Sequence, residues 1–193
     1  MKRVATIAIL LLAAAFPAHA DATADLSAGL AASRVKDYGG AIRLFSRALD
    51  SHQLSPANVL AAYSARATAE LQNGNTDRAI ADYTAAIKLK PDCGACFNNR
   101  GMAYVAKDDQ NGAIADFDDA IRLEPKSFDA YFNRAVAYYH KNDNDKAIAD
   151  YTAALKLKPD CGPCYHNRGM AEQDKGDLDA ANQDLETADQ MKP

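Results

Sequence analysis

The chain has 193 residues, of which 48% are hydrophobic and 25% are charged, and its formal net charge is −4. This composition is ordinary for a globular protein and excludes collagen-like, low-complexity and wholly disordered chains. Basic residues are not concentrated in any segment. The sequence therefore argues against a nucleic-acid surface, and no nucleic-acid partner is expected.

The N-terminus has the three parts of a secretory signal peptide. Lys2 and Arg3 give a positive start, residues 4–16 are almost uninterruptedly apolar, and Ala18 and Ala20 supply the small side chains that a signal peptidase accepts. An uncleaved membrane anchor is the alternative, but an apolar core of roughly 13 residues is short for a hydrocarbon layer about 30 Å thick. The sequence therefore predicts cleavage directly after Ala20.

The predicted domains are a signal peptide at residues 1–20 and a mature protein at residues 21–193. Without the two positive charges of Lys2 and Arg3, the net charge of −4 becomes −6. Beyond the signal peptide no apolar run approaches the ~20 residues that a membrane helix needs, so no membrane span is expected in the mature form. Export predicts a periplasmic or secreted protein, in a compartment where disulfides persist.

The mature sequence repeats with a period of 34 residues. Four columns of residues keep that spacing: prolines (Pro91, Pro125, Pro159, Pro193), aromatic residues (Tyr63, Phe97, Tyr131, Tyr165), small residues (Ala67, Gly101, Ala135, Gly169) and alanines (Ala79, Ala113, Ala147, Ala181). Within each unit, apolar residues follow helical spacing in two stretches, and proline ends the second. Each unit is thus predicted to be a helix pair, which must stack on its neighbours to bury both apolar stripes.

This order of aromatic, small, alanine and proline positions resembles the tetratricopeptide repeat. The resemblance implies an all-α fold, a right-handed α-solenoid of five helix-turn-helix repeats. The predicted repeats occupy approximately residues 22–55, 60–93, 94–127, 128–161 and 162–193. In the last helix Asn182 and Asp189 replace aliphatic residues of the other repeats, as expected for the solvent-facing end of an array.

Each of the last four repeats carries an arginine and, sixteen residues later, an aspartate. The pairs are Arg66 and Asp82, Arg100 and Asp116, Arg134 and Asp150, and Arg168 and Asp184. In the first repeat both positions are apolar, Ala28 and Leu44, so the two partners are lost together. Joint loss favours structural ion pairs, because a half-buried guanidinium without a carboxylate is costly. An anion-binding row of arginines is the alternative.

Two CxxC motifs, Cys93 to Cys96 and Cys161 to Cys164, lie two repeats apart, each just before a predicted first helix. The sequence predicts one local disulfide in each motif, with redox activity and free structural thiols as alternatives. A thioredoxin domain is disfavoured because no strand pattern surrounds the motifs. A shared zinc site is disfavoured because two stacked helix pairs separate the motifs by roughly 20 Å. No metal and no cofactor are expected.

The resemblance also implies where a ligand binds. In tetratricopeptide domains the first helices of successive repeats line a concave groove that binds peptides or helices. The candidate groove residues on that stripe are Asn98, Asn99, Met102, Phe132, Asn133, Val136, Tyr139, His166, Asn167 and Met170. In carboxylate-binding members an asparagine directly before an arginine helps to hold the peptide terminus, and Asn99, Asn133 and Asn167 match that position. The basic residues that complete such a clamp have no clear counterparts here. For Phe132 and Tyr139, packing between repeats is the alternative.

The functional interpretation is an exported scaffold or adaptor that binds a protein or peptide. His52, His140 and His166 lack metal-ligand spacing, and the carboxylates are spread over helix surfaces. The sequence therefore shows no catalytic constellation, and the protein is predicted not to be an enzyme. The alternative function is that of a thiol-disulfide redox or cytochrome-maturation helper, which would use the two CxxC motifs.

Overall fold

A computed structural model describes residues 21–191, so the predicted signal peptide and Pro193 lie outside the described residues. Within this range the chain forms ten α-helices and no strands. The helices are α1 (Ala22–Arg34), α2 (Tyr38–Asp50), α3 (Pro56–Gln72), α4 (Thr76–Leu89), α5 (Gly94–Ala106), α6 (Gln110–Leu123), α7 (Phe128–His140), α8 (Asn144–Leu157), α9 (Gly162–Lys175) and α10 (Leu178–Gln190). None of them is long and apolar enough to cross a membrane.

A tight turn joins the two helices of every repeat, and its geometry recurs. One residue of each turn has a left-handed backbone conformation, with φ between 59° and 89°. These residues are Lys36, Gly74, Asp108, Asn142 and Gly176, which occupy equivalent positions in the five repeats. Glycine adopts this conformation without steric cost and asparagine and aspartate tolerate it, so the turn fits most of these residues.

The helices stack in a single row. Each helix packs against its partner in the same repeat and against the next helix along the chain. First helices of successive repeats also contact one another, whereas between residues 21 and 191 the second helices of successive repeats do not. The first helices, α1, α3, α5, α7 and α9, therefore line the inner side of the stack.

The periodic columns form the core. The aromatic residues Phe45, Tyr83, Phe117 and Tyr151 of the second helices are buried, together with the alanines that face them. At the C-terminal end, Asn182 and Asp189 are exposed, whereas Leu155, the counterpart of Asp189 one repeat earlier, is buried. Ile148, the counterpart of Asn182, is half-buried.

The second repeat has a longer first helix than its neighbours. This helix, α3, begins at Pro56 and has 17 residues where α5 and α7 have 13. Ser55 caps this helix through a hydrogen bond from the Asn58 amide, and proline suits the first helical position. Equivalent residues of the first two repeats, such as Gly29 and Ala67, are 38 residues apart instead of 34, and the four extra residues extend the helix by about one turn.

Candidate functional site

A cavity of about 510 Å³ opens on the inner side of the last three repeats. Residues from α5, α7, the loop between α8 and α9 and the start of α9 line it: Asn98, Asn99, Met102, Phe128, Asp129, Phe132, Asn133, Lys158, Asp160, Cys161 and Pro163. It brings together half of the predicted groove residues, namely Asn98, Asn99, Met102, Phe132 and Asn133. The size is within the usual range of small-molecule and side-chain pockets, about 300–1,000 Å³.

Aromatic rings form the apolar part of the cavity. The Phe128 and Phe132 rings stack with their centroids 6.0 Å apart, and Phe132 meets the buried ring of Tyr151 edge-on at 5.9 Å. Met102 lies across from them on α5 and is 46% exposed. Phe132 therefore packs against rings of its own repeat and also lines the cavity.

Amide side chains form the polar part. Asn133 Nδ2 donates to Asn98 Oδ1 at 3.1 Å, which joins α7 to α5, and Asn98 Nδ2 donates to Asn99 Oδ1 at 3.4 Å. Among the described residues, no other side chain donates a hydrogen bond to the side-chain oxygen of Asn133, Oδ1. The Asn133 side chain thus keeps its acceptor and the second N–H of Nδ2, which together match the pairing capacity of a peptide backbone.

The other predicted groove residues lie outside this cavity; they are Val136, Tyr139, His166, Asn167 and Met170. Val136 and Tyr139 are half-buried and pack in the cluster around Tyr151. A hydrogen bond to Asp174 raises the pKa of Tyr139, and Asn167 is hydrogen-bonded to the Tyr151 side chain. His166 is exposed and Met170 is half-buried. Val136, Tyr139 and Asn167 thus pack around Tyr151, beneath the ring of Phe132 that lines the cavity, whereas His166 and Met170 lie on α9 outside the cavity.

The buried tyrosines predict a loss of stability at alkaline pH. Burial raises the pKa of Tyr151 to about 12, against the opposing hydrogen bond from Asn167. In the unfolded chain the tyrosine ionises near its ordinary pKa of about 10. The contribution of the neutral, buried Tyr151 to stability is therefore complete below that pH and is lost as the pH rises towards 12. We expect Tyr151→Phe to flatten this decline in urea unfolding measured between about pH 9 and pH 12. An identical pH dependence in the variant would contradict the assignment.

The four arginines form bidentate ion pairs inside their repeats. In each pair the arginine Nε and Nη2 donate to the two carboxylate oxygens, with Nε–Oδ2 distances of 2.7, 2.8, 2.7 and 2.6 Å from the second repeat to the fifth. The pairs are Arg66–Asp82, Arg100–Asp116, Arg134–Asp150 and Arg168–Asp184, and all four aspartates are buried. Hydrogen bonds to the aspartates raise the pKa of Arg66, Arg100 and Arg168, so these guanidinium groups stay charged.

The same guanidinium groups also reach the preceding repeat. Their Nη1 atoms donate to a side chain of the previous second helix: Ser46, Thr84, Asp118 and Thr152, respectively. Each arginine thereby joins three helices across a repeat junction. Three of its nitrogen atoms are committed within the fold, as expected for a structural ladder rather than an anion-binding row. This third contact has a signal in the sequence, because Ser46, Thr84, Asp118 and Thr152 occupy the same position in successive repeats.

The first repeat has an ion pair of the opposite polarity. At Ala28 and Leu44 there is no charge, but Asp25 on α1 accepts two hydrogen bonds from Arg47 on α2. Asp25 is buried, whereas the Arg47 side chain is 60% exposed. Sequence reasoning missed this pair because it occurs in one repeat only. Asp25 stands where the other repeats have the aromatic column of Tyr63 and Phe97, and those repeats have no basic residue at the position of Arg47.

The two cysteine pairs are joined as disulfides, Cys93–Cys96 and Cys161–Cys164, at S–S distances of 2.02 and 2.09 Å. In each, the first sulfur caps a helix by accepting a hydrogen bond from the amide three residues on. Ser127 has this role in the fourth repeat, where its hydroxyl accepts from the Ala130 amide. Within residues 21–191 no three histidine, cysteine or carboxylate side chains converge as metal ligands.

Stacked helix pairs with an open inner face define an α-solenoid repeat protein, and the sequence family agrees with this class. Family models described as tetratricopeptide repeat match residues 26–92, 64–120 and 98–160, and a second such model matches residues 162–193. The chain belongs to the tetratricopeptide repeat family. No curated protein matches the sequence.

Solved structures share the fold at low sequence identity. A crystal structure of MamA is 24% identical over 88% of this chain and 91% of that chain, with a TM-score of 0.77. MamA from Desulfovibrio magneticus RS-1, from residue 41 to its end, is 16% identical over 88% of this chain and 94% of that chain, with a TM-score of 0.78. YrrB, described as a tetratricopeptide repeat protein with an unusual peptide-binding site, is 19% identical over 90% of this chain and 87% of that chain, with a TM-score of 0.71.

Proposed function

We propose that this protein is an exported scaffold that binds a peptide or a segment of another protein in the cavity between α5, α7 and α9. The observation that carries the proposal is the combination of two apolar side chains, the exposed Met102 and the half-buried Phe132, with the amide pair of Asn98 and Asn133 on the inner face. The family and the peptide-binding site attributed to YrrB support the same role.

The chemistry of the cavity suits an extended peptide. Asparagine amides donate and accept at once, so they pair with a peptide backbone whatever its side chains. Methionine adapts its shape to different apolar groups, and an aromatic ring offers a large contact area. A few such residues usually carry most of the binding free energy. We therefore place the binding determinants at Phe132 and Asn133.

Export is part of the proposal. The signal-peptide features of residues 1–20 support it, and the two disulfides are compatible with an oxidising compartment such as the periplasm. We assign the Cys161–Cys164 pair a structural role, because Cys164 is fully buried and Cys161 is only 6% exposed, so an attacking thiolate has little access to this disulfide.

Phe132→Ala combined with Asn133→Ala is expected to weaken peptide binding by about tenfold or more, because it removes the apolar anchor and the backbone-pairing amide together. The peptide is selected from a random display library with the mature chain as bait, and Kd is measured by calorimetry. Tyr38→Ala combined with Asn58→Ala, in the first two repeats, is the matched control and should leave Kd unchanged. Circular dichroism verifies that both variants fold.

Two results would contradict the binding proposal. One is failure of the mature chain to select any peptide. The other is a peptide whose affinity survives the double change at Phe132 and Asn133 but is lost on Cys161→Ser. That second pattern would favour thiol chemistry, because serine at this position retains the helix cap that Ser127 provides in the fourth repeat.

A further inference from the structure

The loop that closes the cavity belongs to a duplicated segment. Residues 79–94 recur at 147–162 with a single change, isoleucine at 87 and leucine at 155. The cavity residues Lys158, Asp160 and Cys161 therefore have earlier copies at Lys90, Asp92 and Cys93. The loop sequence by itself does not define the cavity, since it occurs twice in the chain.

The helix that faces the loop makes the difference. In the cavity α7 presents Phe128, Asp129 and Phe132. The residues two repeats earlier, on α3, are Leu60, Ala61 and Ser64, which lack both the rings and the carboxylate. The second copy of the loop thus differs from the first in what faces it: two aromatic rings, Phe128 and Phe132, and the carboxylate of Asp129.

The charges at the cavity are unbalanced. Asp129 and Asp160 are both exposed, and neither forms an ion pair with another residue of the described chain. Lys158 is the one cation of the lining, and its Nζ lies 5.6 Å from the centroid of the Phe128 ring rather than against a carboxylate. The lining residues from α5 and Pro163 of α9 carry no charge. Two carboxylates are therefore free to receive a positive group beside an apolar surface.

We propose that the cavity recognises a peptide in which a lysine or arginine is adjacent to an apolar anchor residue. The proposal rests on the peptide-binding function and names its ligand class. The anchor packs on Met102 and Phe132, and the cation lies between the carboxylates of Asp129 and Asp160. The position of Lys158 over Phe128 illustrates that a cation is accommodated at this aromatic face, where the ring quadrupole attracts it.

Matched peptides test this preference. A peptide selected from the random library is synthesised with lysine, glutamine or glutamate next to its anchor, and Kd is measured at low and high salt. We expect the lysine peptide to bind about fivefold more tightly than the glutamine peptide at low salt, because exposed ion pairs contribute modestly. The glutamate peptide should bind most weakly, and high salt should reduce the differences by screening.

Variants of the protein locate the effect. Asp129→Asn combined with Asp160→Asn should abolish the preference for lysine over glutamine, whereas Asp92→Asn, at the earlier copy of Asp160, should leave it intact. Lys158→Gln should tighten binding of the lysine peptide, because it removes the one competing positive charge. A preference that persists without Asp129 and Asp160, or a library that selects acidic or uncharged neighbours, would overturn this inference while peptide binding stands. If no selected peptide depends on Phe132, both proposals fail.

Discussion

Arg134→Leu is expected to lower the free energy of unfolding by about 3–5 kcal/mol, because it leaves a buried carboxylate without its partner. Asp150 is only 7% exposed, and it accepts hydrogen bonds of 2.7 and 2.8 Å from Arg134. Leucine cannot replace either bond, and only 9% of the Asp150 side chain is exposed to water. Urea denaturation of the oxidised mature chain measures the loss.

Two controls separate the buried pair from an ordinary surface charge. Arg122→Leu breaks an exposed pair with Asp119, whose side chains are 64% and 43% exposed, and should cost less than about 1 kcal/mol. Arg134→Leu combined with Asp150→Leu should be less destabilised than Arg134→Leu alone, because no charge is then left unpaired and the first repeat is apolar at both positions. If Arg134→Leu costs no more than Arg122→Leu, the ladder is not a stabilising device.

The arginine ladder also positions the candidate site. Arg134 is hydrogen-bonded to Asp150 on α8 and to Asp118 on α6, so it fixes the rotation of α7 against two other helices. Phe132 and Asn133 directly precede it on the same helix turn. By fixing the rotation of α7, the Arg134 guanidinium therefore also helps to orient the Phe132 ring and the Asn133 amide towards the cavity.

The helices and their order could be predicted from the sequence, because a 34-residue period with proline stops determines where each helix pair begins and ends. The ladder was equally predictable, since both of its residues recur with that period. The period does not determine the start of α3, because the 34-residue spacing is interrupted there. The local signal is Ser55 as a cap before Pro56, which is independent of the repeat.

The cavity was predictable only in part. Asn98, Met102 and Phe132 follow from the first-helix stripe. Lys158, Asp160 and Cys161 instead come from a loop between repeats, whose approach to α7 depends on how the repeats stack. A column of equivalent residues describes what all repeats share. A site that forms at one junction between repeats depends on residues that only one repeat carries. Such residues are not part of the repeating pattern, so the period does not reveal them.

The contact between α5 and α6 predicts the second large effect. A methyl group added at Gly101 would lie 2.6 Å from a ring carbon of Phe117, and that ring is completely buried. The equivalent glycine of the first repeat, Gly29, has the same relation to Phe45 at 2.6 Å. Gly101→Ala should therefore lower the free energy of unfolding by about 2–3 kcal/mol through overpacking, although alanine is the better helix former.

Gly39→Ala is the matched control, because Gly39 is also helical but its added methyl group would meet only the end of the Arg43 side chain, at 3.7 Å. That change should raise the free energy of unfolding by about 0.5–1 kcal/mol, because alanine restricts the unfolded chain and favours the helix. Opposite signs for the same chemical change would show that close approach of the helices, not backbone freedom, requires glycine at residue 101. If Gly101→Ala is neutral or stabilising, Phe117 moves aside more easily than its burial implies, and the small-residue column is not a steric requirement at this junction.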